Sequence, residues 1–89
     1  MIRYNIIATG SKGNAVKIDD ILIDCGVSFK KIKDVYKHIR LVLLTHEHSD
    51  HFRPSTIRKL AAERPTLRFG CCRWMVPKLI ECGVLPTQI

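Results

Sequence analysis

Apolar and polar positions set out a succession of short strands, then helices. Residues 2–8 (Ile-Arg-Tyr-Asn-Ile-Ile-Ala) are rich in β-formers and predict a strand. Ala15-Val16-Lys17-Ile18 predicts a second, and Ile21-Leu22-Ile23-Asp24 a third, with Asp19-Asp20 as the tight turn between them. The third is apolar on both faces, the pattern of a central strand. Thr9 to Asn14 joins the first two and contains Gly10, Gly13 and Asn14, which accept turn dihedrals. A phosphate-cradling reading of Gly10-Ser11-Lys12-Gly13 is the weaker one, because such loops lead into a helix and this one leads into a strand.

From Ser28 the period changes. Phe29, Ile32, Val35, Tyr36 and Ile39 recur at helical spacing, with Ser28 placed to cap the helix and lysines at 30, 31, 33 and 37 on its other faces. Leu41-Val42-Leu43-Leu44 reads as a buried strand. Pro54 suits the first turn of a helix whose inner stripe is Ile57, Leu60 and Ala61, ended by Arg64-Pro65. Leu67-Arg68-Phe69 is a short strand. Residues 72–82 predict a third helix with Trp74, Leu79 and Ile80 inward; Pro77 moves its true start to near Val76, and Gly83 stops it. Residues 84–89 lead towards a further element. The order fits a layered α/β or α+β half-domain, occupying 1–89 as a single unit with helices on one face of a mixed, mostly antiparallel sheet.

Composition adjusts this picture in three ways. Hydrophobic residues make up 46% of the 89, ample for a core, but one sheet with helices on one side leaves its other face uncovered. That predicts self-association, a partner chain over the exposed sheet face, or a piece of a larger protein. The net charge of +7 is spread evenly: eight basic against four acidic residues in 1–45, and seven against four in 46–89. It suits anionic partners, nucleic acid or another phosphodiester among them, and equally a solvated surface. Cys25, Cys71, Cys72 and Cys82 form no Cys-x-x-Cys pair, so reduced thiols in a cytoplasmic protein are expected. The first residues lack a signal-peptide layout, and no apolar stretch approaches the ~20 residues that span a bilayer.

The candidate chemistry lies just after the strand at 41–44, in Thr45-His46-Glu47-His48-Ser49-Asp50-His51. Three of the chain's four histidines fall within these positions; the fourth, His38, reads as a helix-surface residue. His46 and His48 leave the same side of an extended backbone. Neutral imidazole is a common ligand for zinc, and Asp50 adds a hard oxygen. His51 joins them only if the chain turns, giving two groups, His46 with His48 and Asp50 with His51. Two such groups suit two metals about 3.5–4 Å apart. Asp24, ending the third strand, reads as an anchor whose carboxylate accepts backbone N–H bonds from the next loop.

His46-Glu47-His48-Ser49-Asp50-His51 matches the HxHxDH signature of the metallo-β-lactamase-fold hydrolases. Gly10-Ser11-Lys12-Gly13-Asn14 and Ile21-Leu22-Ile23-Asp24-Cys25-Gly26 resemble that family's opening hairpin, with its strand ending in Asp-x-Gly, so the resemblance covers roughly residues 1–70. It implies the N-terminal half of an αββα sandwich and a hydrolase that activates water. His46 and His48 would bind the first metal, and Asp50 and His51 the second. Asp50 would also orient the nucleophile, and Asp24 would support the ligands from behind. Zinc is the implied cofactor, one or two ions, with manganese or iron as alternatives. The family's remaining ligands come from later strands; here no histidine follows His51 and no aspartate follows Asp50. With Phe52-Arg53-Pro54 after the motif, the wording is closest to the phosphodiesterase and nuclease branch. The alternative is a truncated, non-catalytic interaction module.

Overall fold

The computed structural model describes residues 4–10 and 13–89. Ile2 and Arg3 of the first predicted strand, and Ser11 and Lys12 of the turn, lie outside the described residues. Five strands form: β1 (Tyr4–Ala8), β2 (Ala15–Ile18), β3 (Ile21–Ile23), β4 (Leu41–Leu44) and β5 (Arg68–Cys71). The helices are α1 (Phe29–Ile32), α2 (Pro54–Glu63) and α3 (Val76–Glu81), with 3₁₀ turns at Tyr36–His38, Arg73–Met75 and Pro86–Gln88.

The strands lie side by side in chain order. β1–β2 and β2–β3 pair antiparallel, each pair joined by a connection too short for a crossover. β3–β4 and β4–β5 pair parallel, each through a helical crossover. Both crossovers step the same way across the sheet. Since such connections share one hand, both helices fall on the same face. This is the mixed α+β layer the pattern predicts, with β3 at its centre as expected.

Registration shows what each face carries. Lys17, Leu22, Val42 and Phe69 form one row, and the last three are fully buried beneath Ile32, Ile57, Leu60, Met75 and Leu79. Ile6, Val16, Ile23, Leu43 and Gly70 form a row on the other face. There Tyr4 is 71% exposed, Ile6 57% and Leu43 36%. Leu43 lies down across Gly70, where an added Cβ would sit 2.7 Å from its Cδ2.

Two helix expectations need correction. The helix predicted over 29–39 stops after Ile32 and resumes only as the turn at Tyr36–His38. Ser28 holds the N-cap position, but its side chain makes no capping bond. Tertiary structure overrides the spacing here. Ile39 must already be extended to feed β4, and Arg64 Nη1, at the end of α2, donates to the carbonyls of Tyr36 and Ile39. In α3, Leu79 faces inward, but Trp74 is 71% exposed and Ile80 is also exposed. Residues 73–75 wind as a tighter 3₁₀ turn, so Met75 enters the core, and Met75, Leu79 and Cys82 form the inner stripe.

The remaining ends follow the chemistry of their residues. α2 starts on Pro54 and buries Ile57, Leu60 and Ala61. Gly83, at φ +102°, closes α3: its N–H bonds Ile80 O at 2.9 Å while Val84 N–H reaches Leu79 O at 3.1 Å. The tail folds back. Buried Gln88 donates its amide to Arg64 O at 3.1 Å and Leu67 O at 3.2 Å, covering carbonyls left at the end of α2. No helix among the described residues is long and apolar enough to cross a membrane.

Candidate metal centre

β3 ends where Asp24 takes a left-handed backbone, φ +64°. Aspartate tolerates that conformation better than most side chains. Asp24 is 6% exposed, and its carboxylate is surrounded by donors. Thr45 N–H donates to Oδ1 at 2.8 Å, and the Thr45 hydroxyl lies 2.8 Å from both oxygens. His51 Nδ1 is 2.8 Å from Oδ2.

These contacts fix two imidazoles. A carboxylate only accepts, so His51 Nδ1 carries a proton, and Nε2 is the nitrogen through which a neutral ring offers its lone pair. The single Thr45 proton goes to Asp24. The Thr45 oxygen, 2.9 Å from His46 Nδ1, therefore accepts from that ring, and His46 Nε2 is left with its lone pair too. One buried carboxylate sets both tautomers, directly at His51 and through a hydroxyl at His46. Histidine ligands of metal sites are held in this manner.

The loop turns after His48. His51 N–H and Phe52 N–H both bond His48 O at 2.9 Å. This brings the His51 ring to 4.6 Å from the His46 ring, centroid to centroid. Ligand atoms of Asp24, His46 and His51 all lie within 4.8 Å of one another. Asp50 Oδ2 stands 3.5 Å from His51 Nε2. Two donors each about 2.1 Å from a tetrahedral ion stand roughly 3.4 Å apart, so Asp50 and His51 fit one cation. His48 is outside this group; its exposed ring stacks beside His46, with centroids 6.1 Å apart and planes at 26°. His38 is exposed.

The backbone holds the loop in place. Asn14 N–H donates to Asp50 O at 2.7 Å, and its side-chain amide reaches the same oxygen at 3.0 Å and Asp50 Oδ2 at 3.4 Å. Cys25 N–H donates to His51 O at 2.9 Å, and Arg53 N–H to Cys25 O at 2.7 Å. Gly26 lies so close that a Cβ there would meet Asp50 O at 2.0 Å. The three stretches singled out in the sequence thus converge at one point: the first turn clamps Asp50, Asp-x-Gly sets the histidines and gives the loop room, and the loop carries the donors. Cys25 is buried between them, its thiol pushed up to about 12 by burial and then by neighbouring Asp24. The supporting roles of Thr45 and Asn14 are absent from the sequence reading. Thr45 adjoins His46, and its hydroxyl is the available signal; Asn14 carries the same turn chemistry whether or not its amide reaches a distant loop.

In sequence the chain is similar to curated exodeoxyribonucleases of the nuclease branch of the metallo-β-lactamase superfamily. It is 38% identical over 60 residues to exodeoxyribonuclease WalJ of Streptococcus pneumoniae, in strain D39 and in strain R6, a match spanning 55% of this chain and 22% of that protein. It is 32% identical over 63 residues to exodeoxyribonuclease YycJ of Bacillus anthracis, spanning 58% of this chain and 24% of that protein. The matched stretch is therefore about a quarter or less of these curated relatives' length. No protein-family model and no solved structure matches the chain.

Proposed function

We propose that the chain carries the metal-binding loop of a metal-dependent phosphodiesterase acting on nucleic acid. The observation that carries this reading is Asp24, which holds His46 and His51 in the tautomer a metal needs. The exodeoxyribonuclease relatives and the +7 charge support a nucleic-acid substrate.

His46, His48, Asp50 and His51 are the proposed ligands. His46 and His51 offer Nε2 and Asp50 offers an oxygen, while His48, exposed beside His46, would have to swing in to bind. Zinc, or manganese or iron in its place, supplies a water acidified towards neutral pH and positive charge at the phosphoryl oxygens. Asn14 keeps the Asp50 carboxylate aimed, and Asp50 also orients the attacking water. Thr45 and Asp24 prevent the rings from turning their protonated nitrogens inward.

Calorimetric zinc titration tests the reading together with nucleotide release from single-stranded DNA. The wild-type chain is expected to bind zinc, the His46→Ala/His51→Ala variant to lose binding, and Asp24→Ala to bind about 10–100-fold more weakly. Asp50→Ala should abolish metal-dependent nucleotide release. Zinc affinity unchanged in the double histidine variant overturns the proposal.

A further inference from the structure

A second cluster of cationic side chains borders the loop and has no part in holding a metal. A cleft of about 120 Å³ is lined by Thr9, Gly13, Val27, Ser28, Lys31 and Arg53, together with Ala8. Its charged lining is purely basic, and the hydroxyl-bearing residues Thr9 and Ser28 line it as well. Among the described residues neither Lys31 nor Arg53 pairs with a carboxylate, whereas Arg40 pairs with Asp20. Two unpaired cations sharing a concave surface repel one another and draw in an anion.

The cleft is tied to the candidate metal loop. Arg53 follows His51 by two residues, so their Cα atoms are at most about 7 Å apart. Gly13 precedes Asn14, whose N–H and amide hold Asp50. Gly13 itself cannot gain a side chain: at φ +157°, an added Cβ would be 2.5 Å from Gly26 O. The wall is a close backbone contact, and the Arg53 N–H bond to Cys25 O fixes where that side chain leaves the chain. A guanidinium and an ammonium with nearby hydroxyls are the groups that bind phosphate oxygens.

We propose that this cleft is a phosphate subsite, holding a non-reacting phosphate of a nucleic-acid strand beside the one presented to the loop. It rests on the phosphodiesterase reading, but its test needs no metal. Binding of a fluorescent single-stranded DNA is measured in EDTA across a salt series, with 5′-phosphorylated and 5′-hydroxyl forms of the same strand. Lys31→Ala/Arg53→Ala is compared with Lys30→Ala/Lys33→Ala, which removes equal charge from exposed positions outside the cleft. The cleft variant is expected to bind about 10-fold more weakly than the control and to lose about 0.7 from the salt slope, the share of one phosphate contact on a single strand. A loss confined to the 5′-phosphorylated strand assigns the cleft to a terminal phosphate; an equal loss on both assigns it to an internal phosphodiester. Equal affinity and slope in the two variants overturns the subsite. Because EDTA removes any metal, this binding readout is independent of the zinc titration, so failure of the metal reading is separable from failure of this one.

Discussion

Val42 and Leu43 are chain neighbours on β4, and they live in different surroundings. Val42 points to the helix-covered face and is fully buried with Leu22 and Phe69; Leu43 points to the opposite face and remains 36% exposed. Both residues are apolar, as are most of their neighbours along the rows, so side-chain type does not distinguish the two faces. The difference comes from where the crossovers go: both pass on one side, and every helix core residue follows them. Packing energy is therefore concentrated on one face, while the other keeps a hydrophobic surface that contributes little to holding the layer together.

The same substitution on adjacent residues breaks this comparison most severely. Val42→Asp places a carboxylate where no polar partner waits, and loss of the folded state is expected, a cost above about 4 kcal/mol. Circular dichroism and urea melts read that directly.

An intermediate effect comes from Cys25, which is buried under the loop. Its thiol pKa is raised from 9.0 to about 12 on folding. Below pH 9 both states hold the proton and stability is unaffected. Between pH 9 and 12 the unfolded chain ionises first, so stability should fall by about 1.4 kcal/mol per pH unit. Urea midpoints at pH 8 and pH 10 measure the slope, and Cys25→Ala should flatten it. An unchanged midpoint in the wild type would show that this thiol is not sealed.

The smallest effect is expected at Leu43→Asp, about 1 kcal/mol or less, because the side chain already meets solvent and only its contact over Gly70 is lost. A cost similar to that of Val42→Asp would erase the asymmetry between the faces.

How much could be read in advance depends on how local the governing physics is. β2, β3 and β4 follow from short apolar runs, and Pro54 and Gly83 punctuate helices at their own positions. Each of these is decided within a few residues. The stretch 29–39 defeats the reading because Ile32 and Ile39 are both buried, as a continuous helix would have them, while Arg64 from a distant helix captures the carbonyls between. Trp74 misleads for a related reason: a 3₁₀ turn shifts the phase of the stripe, and periodicity alone carries no signal of that shift. At the candidate centre the loop's spacing suggests grouping His46 with His48 and Asp50 with His51, whereas the turn sets the His51 ring beside His46, a pairing the spacing does not encode. The role of Asn14 is not legible either, since it depends on a contact 36 residues away.

The clamp on the loop has a consequence for anyone altering its chemistry. Asn14, Cys25 and Arg53 grip residues 25 and 50–51 through main-chain bonds, and Gly26 leaves no slack behind Asp50. The scaffold at 46–51 is thus largely indifferent to which rings it displays. Under the proposed metal-binding role, exchanging a donor there is a coordination experiment, on a frame whose shape is inherited from elsewhere in the chain.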